Sequence, residues 1–299
     1  MRVLLLGCDG QVGWELQRSL QPLGELVALD FTSREHAADF SKPEALAGTV
    51  QALRPDIIVN AAAHTAVDKA ESEPALAQAI NADAVGVLAR SAAASGAWLV
   101  HYSTDYVFDG SGDQPRNEDA PTGPLSVYGR TKLEGEQQLR ASGCKHLILR
   151  TSWVYAARGG NFARTMLRLA GTKTELNVID DQVGAPTGAE LLADLTALML
   201  RAAQARPELA GTYHAVAGGE TSWHGYARFV IETARARGVP LALPADALHA
   251  IQTSAYPTPA ARPLNSRLDT SRLRERFGLH LPDWQSGVRR MLDEILPSA

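Results

Sequence analysis

The stretch from Leu4 to Leu16 reads LLLGCDGQVGWEL. A short apolar run enters it and an amphipathic run leaves it. Between the two, Gly7, Gly10 and Gly13 stand three residues apart. A strand that turns sharply into a helix needs such residues. The turn lets backbone approach a pyrophosphate and aims the free N–H groups and dipole of the helix at it. The spacing is G-x-x-G-x-x-G, not the commoner G-x-G-x-x-G. The strand–turn–helix setting at the start of the chain therefore carries the reading, and a dinucleotide is the expected ligand.

Outward from this turn, the same rhythm repeats. The runs RVLLLG, LVALD, DIIVNAAA, WLVHYST and HLILRTSWVY are short and nearly continuously apolar. Strands buried on both faces read this way. Longer helical stretches separate them: GWELQRSL, EALAGTVQALR, ALAQAINADAVGVLARSAAASG and LEGEQQLRAS. The alternation predicts an α/β protein, a Rossmann-type doubly wound parallel sheet over residues 1–155. Beyond that the rhythm loosens. Residues 156–299 are expected to form mainly a smaller substrate-binding lobe, with some segments returning to the first domain. The stretch SAYPTPAARPLNSRLD is expected to be an ordered loop.

Bulk composition narrows the function. The 299 residues allow a sizeable core. Lys and Arg number 29 against 33 Asp and Glu, a net charge of −4 without long runs of either sign. That argues against nucleic acid as a partner, which needs a basic face. Two cysteines, Cys8 and Cys144, and no CxxC argue against a disulfide framework and a thiolate zinc site. The N-terminal apolar run is too short for a secretion signal, and no window reaches the roughly 20 apolar residues of a membrane span. A cytoplasmic protein without a membrane partner is expected.

Strand ends locate the ligand. Asp30, 17 residues past Gly13, stands where a carboxylate would bind ribose hydroxyls, which favours NADH. Arg34 nearby could meet a 2′-phosphate, so NADPH stays open. Asp39 and Phe40 could cover the adenine, or simply lead into a helix. Ala61, Ala62 and Ala63 end the third apolar run with small side chains across which a ligand can lie.

Thr104 ends WLVHYST, at the carboxyl edge where α/β sheets bind ligands. Tyr128 and Lys132 form Y-x-x-x-K, one turn apart on one helix face. A lone tyrosine, with a pKa near ~10, is a poor acid–base group at neutral pH, and a lysine one turn away would stabilise its phenolate. With Thr104 bonding the same oxygen, the set suits reduction of a ketone. The cofactor gives hydride and Tyr128 gives the proton. Y-x-x-x-K is common on helices and means little alone; it gains weight behind a dinucleotide fold. Arg262, in ARPLN, could clamp a diphosphate bidentately.

The motifs GCDGQVGWELQ, NAAAHTAVDKAE, STDYVFDG, YGRTKLEGE, RTSWVY, DQVGAPTGAEL and TSAYPTPAARPLNSRLD resemble those of the dTDP-4-dehydrorhamnose reductases. These are extended-type members of the short-chain dehydrogenase/reductase superfamily. The resemblance runs from Met1 to RRMLDEIL. It implies reduction of the 4-keto group of dTDP-4-dehydro-6-deoxy-L-mannose to dTDP-L-rhamnose by NADPH or NADH. It also implies a bacterial source that builds rhamnose into surface polysaccharide. By motif, Thr104, Tyr128 and Lys132 would be catalytic. Gly10, Gln11, Val12, Asp30, Asp39, Phe40, Ala63, His64, Thr65 and Tyr102 would line the cofactor. Val67, Asp105, Tyr106 and Trp153 would hold the sugar. Asn161, Phe162, Asp181 and Gln182 lie in loops, where nucleotide contact and plain loop polarity explain them equally.

Some members of the family bind magnesium at a dimer interface through glutamates. Glu15, Glu190 and Glu294 match those places, which implies Mg2+ and a homodimer; oxygen ligands suit that ion. Two other readings remain: a nucleotide-sugar epimerase or dehydratase of the same superfamily, and a non-catalytic regulatory subunit that binds NADP.

Overall fold

A computed structural model describes residues 1–297. Strands β1 (Arg2–Leu6), β2 (Glu25–Leu29), β3 (Ile57–Asn60), β4 (Trp98–Thr104) and β5 (Lys145–Thr151) alternate with helices. These are α1 (Gln11–Leu20), α2 (Ala45–Leu53), α3 (Val67–Ser72), α4 (Pro74–Gln78), α5 (Ala84–Ser95) and α6 (Val127–Ala141). Then follow β6 (Val154–Tyr155), α7 (Phe162–Ala170), β7 (Leu176–Ile179), β8 (Val183–Gly184), β9 (Thr187–Gly188) and α8 (Ala189–Ala205). The chain closes with β10 (Gly211–His214), β11 (Thr221–Ser222), α9 (Trp223–Ala236), β12 (Leu248–Ile251), α10 (Ser271–Phe277) and α11 (Trp284–Ile295).

The central sheet has the order β10-β5-β4-β3-β1-β2, and every ladder in it is parallel. This is the Rossmann-type doubly wound arrangement. Alternate residues of each strand feed opposite faces. Val3, Leu5, Ile57, Val59, Val100 and Leu149 pack with Leu16 and Leu20 of α1 and Leu192 and Met199 of α8. Leu4, Leu6, Ile58, Leu99 and Ile148 pack with α2, α5 and Leu139 of α6. Both faces are covered, which is why these strands read as unbroken apolar runs. Strand order reverses between β1 and β3, so the ligand crevice of such a sheet lies beyond their carboxyl ends.

The later chain divides its work. β10 completes the edge of the central sheet and α8 lies on it. A separate apolar cluster gathers Tyr155, Ala163, Tyr226, Val230, Trp284 and Val288 from around α7, α9 and α11. β7 and β12 pair beside it. The proline-rich run from Tyr256 to Asn265 is loop. Among the described residues no helix is long and apolar enough to cross a membrane.

Two local breaks were not expected from the apolar pattern. The run from Pro74 to Ser95 is helical throughout but loosens into a π turn at Ala79–Asp83, which turns Asn81 inward. And HLILRTSWVY is not one strand. It ends at Thr151, and Trp153 takes a left-handed conformation with φ of 49°. A tryptophan there is a strained outlier of the kind that clusters at binding sites.

Candidate active site

The glycine turn is built as an anion cradle. Gly7 has φ of 83°, a region open to glycine. A Cβ on Gly13 would fall 1.9 Å from the Gly7 carbonyl oxygen, so α1 can start here only with glycine. A Cβ on Gly10, by contrast, would meet nothing nearer than 3.5 Å, so that side of the turn is open. Gly10 caps α1 without a side-chain bond, which leaves the leading N–H groups free for a phosphate. Ala61 and Ala62 lie directly against Gly7, at the crevice. Gln11 reaches across the turn and accepts a hydrogen bond from Asn161 Nδ2 at 3.1 Å. Asn161 also caps α7 through Arg164 N–H, so its polarity serves the fold, while Val12 packs on the core.

The Asp30 carboxylate folds back on its own loop. It accepts bonds from Thr32 N–H and Thr32 Oγ1, both at 2.7 Å, and these hold its pKa below the usual value. Asp39 does the same with Ser41, at 3.0 Å to N–H and 2.6 Å to Oγ. Phe40 is buried in the apolar layer with Leu46 and Val50. Its ring is core. Tyr102 likewise sends its ring into the core, where its hydroxyl meets Thr196 Oγ1 at 2.6 Å. Its backbone carbonyl is what faces Lys132.

Thr104 ends β4 and is buried. Its hydroxyl accepts Tyr106 N–H at 3.2 Å and donates to Asp105 Oδ1 at 3.0 Å. Tyr128 enters from α6, whose N-cap Ser126 accepts Gly129 N–H at 3.2 Å. Gly129 permits the approach: a Cβ there would lie 2.3 Å from the Tyr106 carbonyl. The rings of Tyr106 and Tyr128 meet edge to face, 5.4 Å between centres. Burial pushes the Tyr128 phenol up to about 12, the Thr104 hydroxyl opposes this, and the Asp105 charge adds to it. Asp105 is pushed up to about 6 by burial, and its Oδ2 has no hydrogen-bond partner.

Lys132 is 2% exposed. Its Nζ donates to the Tyr102 carbonyl at 2.6 Å and lies 3.3 Å from His101 Nε2. Burial lowers its pKa to about 8, against a raising effect from Glu136. The expectation that the lysine stabilises the Tyr128 phenolate has no counterpart in this geometry. The groups acting on Tyr128 are burial, Thr104 and Asp105. The ammonium position is turned inward, toward β4.

The residues expected to hold the sugar and its diphosphate fall into local groups of contacts. Val67 begins α3, and the next residue, Asp68, receives a bidentate fork from Arg262, at 3.1 Å and 2.8 Å. The expected diphosphate clamp is thus already oriented by a carboxylate. Trp153 stacks flat on Trp223, 3.7 Å between ring centres. Trp223 Nε1 in turn donates to Gln182 Oε1 at 3.1 Å. Asp181 accepts Thr253 N–H and holds the loop after β12.

Several residues of the site carry no motif of their own. Asn81, on the π turn, accepts His64 N–H at 2.9 Å and donates to His64 O and to Thr131 Oγ1, both at 3.2 Å. It ties the loop after β3, with Thr65 exposed on it, to the helix that carries Tyr128 and Lys132. Asn60, His101, Glu136 and Trp223 are of the same kind. Their signal in the sequence was polar or bulky residues inside otherwise apolar strands and helices.

Glu15, Glu190 and Glu294 line one cleft with Tyr155 and Trp284. Burial, then the charge of Glu190, raises the Glu15 pKa. Arg290 pairs with Glu190 at 3.1 Å and with Glu294 at 3.8 Å. Among the described residues no three His, Cys, Asp or Glu side chains are close enough to hold a metal ion.

Comparison with known proteins follows the same outline. The family model described as the RmlD substrate binding domain matches residues 1–296. The dTDP-4-dehydrorhamnose reductase of Shigella flexneri is 61% identical over 295 residues, 99% of this chain and 98% of that one. The crystal structure of a dTDP-4-dehydrorhamnose reductase from Clostridium acetobutylicum superposes with a TM-score of 0.89 at 34% identity, covering 99% of both chains. That of the Bacillus anthracis reductase, in complex with NADP, gives 0.85 at 33% identity, over 98% of this chain and 99% of the other.

Proposed function

The chain belongs to the family of the RmlD substrate binding domain, matched over residues 1–296, and from that premise we propose how its residues carry out the family's reduction. It is an NAD(P)H-dependent oxidoreductase, a dTDP-4-dehydrorhamnose reductase by kinship. It reduces the C4 keto group of dTDP-4-dehydro-6-deoxy-L-mannose, giving dTDP-L-rhamnose.

A bound nicotinamide cofactor supplies the hydride. The Gly7–Gly13 turn and the uncapped start of α1 hold its pyrophosphate. Gln11 and Val12 flank that turn, and Asp30 and the backbone at Asp39 and Phe40 take the adenosine side. Ala61 to Thr65 and the Tyr102 carbonyl border the nicotinamide side.

Tyr128 gives the proton to the C4 oxygen, and Thr104 bonds the same oxygen. The phenol, raised to about 12, is protonated at neutral pH and so is loaded for donation. An alkoxide formed at C4 is more basic than a phenolate, so the transfer runs downhill. Arg262 turns from Asp68 to the diphosphate. Val67, Asp105, Tyr106 and Trp153 border the sugar. Residues 1–155 serve mainly the cofactor, and residues 156–299 mainly the sugar.

The observation that carries this reading is the meeting of Thr104 and Tyr128 at the carboxyl end of β4, on the same edge of the parallel sheet as the glycine turn after β1. We further read the protein as cytoplasmic and as a homodimer. Glu15, Glu190 and Glu294 line one cleft, and the Glu190 charge that adds to burial in raising Glu15 is one a divalent cation would offset. One chain does not complete a metal site, so magnesium would sit between two copies.

The test is oxidation of NADPH and of NADH, followed by absorbance, with enzymatically made dTDP-4-dehydrorhamnose. Rapid oxidation that yields dTDP-L-rhamnose supports the reading and ranks the cofactors. Tight cofactor binding without oxidation would move it to an epimerase or a regulatory subunit.

A further inference from the structure

Trp153 leaves its strand with φ of 49°, a left-handed backbone that a bulky side chain rarely takes. Such a residue persists only where its surroundings over-determine it. Its backbone is held by strand pairing. The Trp153 carbonyl accepts Thr187 N–H at 3.3 Å, and Val154 pairs with Thr187 across β6 and β9. These bonds fix the chain but not the plane of the ring. Gly184 makes room for that ring, since a Cβ there would fall 3.1 Å from Trp153 Cε2. The plane is set by Trp223, whose indole lies 3.7 Å away between centres and is tilted by only 16°.

Trp223 is itself closely held. It opens α9 directly after the N-cap Ser222, whose Oγ accepts Gly225 N–H at 2.9 Å. The strand that ends at Ser222, β11, pairs with β8 beside Gly184. Phe162 backs the indole at 4.6 Å between ring centres. The one polar atom of the indole, Nε1, donates to Gln182 Oε1 at 3.1 Å.

Donor and acceptor roles run one way from here. An indole nitrogen only donates, so the Gln182 oxygen must face it and the Gln182 NH2 must face elsewhere. That NH2 donates to Thr253 Oγ1 at 3.1 Å. The Thr253 hydroxyl spends its own proton on Asp181 Oδ1, at 2.6 Å, and so is free to accept. Gln182 is 3% exposed, and each polar atom of its amide has a partner. Thr253 stands in the connection after β12 that goes on to Arg262. The plane of Trp223 is therefore registered on the segment that carries the diphosphate clamp. Neither stacked indole is fully buried, so the pair reaches the wall of the crevice and is not core filling.

We propose that Trp223, oriented by Gln182, is a positioning residue of the sugar site, fixing the plane of Trp153 against which the sugar rests. The proposal rests on the reading of Trp153 as a sugar contact.

Two stacked indoles couple their electronic transitions and give a circular-dichroism couplet in the far ultraviolet. Among the described residues Trp153 and Trp223 are the one tryptophan pair in ring contact, so the couplet reports this stack. It is read on the full-length protein without ligand, beside calorimetric titration with dTDP-L-rhamnose and with NADPH. Trp223→Leu should abolish the couplet and weaken dTDP-L-rhamnose binding about 3–10-fold, with NADPH binding unchanged. Because Trp223 acts through Trp153, the double variant with Trp153→Leu should bind the sugar no worse than Trp153→Leu alone. Gln182→Met leaves the aromatic cluster whole, and serves where Trp223→Leu folds poorly. It should weaken the couplet and the sugar affinity together.

A couplet lost without loss of sugar affinity, in either variant, would overturn the proposal. So would additive losses in the double variant, a wild type without a couplet, or a couplet that Gln182→Met leaves unmoved. If Trp153→Leu itself binds the sugar as wild type does, the reading of Trp153 as a sugar contact fails. If Trp153→Leu weakens binding and Trp223→Leu does not, that reading stands and the proposal falls.

Discussion

Glu136 and Arg150 form a bidentate pair inside the protein, with Nε to Oε1 at 2.9 Å and Nη2 to Oε2 at 2.7 Å. The Glu136 side chain is fully buried and Arg150 nearly so. Ser103 of β4 also donates to this carboxylate, at 2.5 Å. The pair thus pins α6 to β4 and β5, one turn beyond Lys132. The helix that carries Tyr128 owes its position to this contact.

Glu136→Gln should therefore be strongly destabilising. It leaves Arg150 charged and without its counter-ion, which costs about 3–5 kcal/mol. Urea unfolding of both proteins measures it. The Glu136 pKa is lowered in the fold despite burial, because Arg150 and Ser103 bond the ionised form. Its stabilisation is present above the ordinary carboxylate range and is lost as pH falls through the folded value. The gap between wild type and variant should accordingly shrink in acid.

Tyr128→Phe should lower kcat by roughly 10²–10⁴-fold, the usual worth of a positioned proton donor. NADPH affinity, read by fluorescence titration, should stay close to wild type. The missing hydroxyl is the only group removed, and the ring contact with Tyr106 persists. Unchanged turnover would show that the proton comes from elsewhere.

Asp105→Asn should flatten stability against pH. Burial raises the folded pKa to about 6, above the unfolded value. The wild type therefore loses stability from this group as pH rises from the unfolded pKa through about 6. The full loss is about 3 kcal/mol by linkage. The amide carries no such term, so thermal unfolding from pH 4 to pH 7 should show the variant gaining on the wild type.

Arg262→Met should raise KM for the nucleotide sugar by about 10–100-fold through loss of a bidentate diphosphate contact. NADPH binding should not change. Asp68→Asn, which releases one arm of the fork without removing the guanidinium, should act on the sugar alone. An equal effect on both ligands would place Arg262 in a structural role.

The parallel sheet was legible because strands covered on both faces must read as apolar runs, and Leu4–Leu16 showed where the first one turns. The meeting of Thr104 and Tyr128 was legible because a strand end and the start of a helix have fixed geometry. What escaped was mostly orientation. Spacing places Lys132 one turn from Tyr128 but does not say that Tyr102 and His101 draw its Nζ inward. Asp30, Asp39 and Phe40 stood where expected in the chain, yet their side chains turn onto Thr32, Ser41 and the core. Asn81 escaped because a π turn has no sequence period of its own. The strand break at Trp153 is set by its stack on Trp223, 70 residues away in the chain, and no local rule registers it.

β10 closes the sheet from far downstream. About 60 residues of chain separate it from β5, its neighbour in the ladder. During synthesis the ribosome therefore delivers five strands of the sheet well before the sixth, and β5 waits with an open, apolar edge. Unpaired edges of that kind invite pairing with other chains. The nascent protein passes through a sticky interval that ends only when residue 214 has cleared the exit tunnel, so its yield in the cell should respond to elongation speed across residues 152–214 and to chaperones that shield an edge strand.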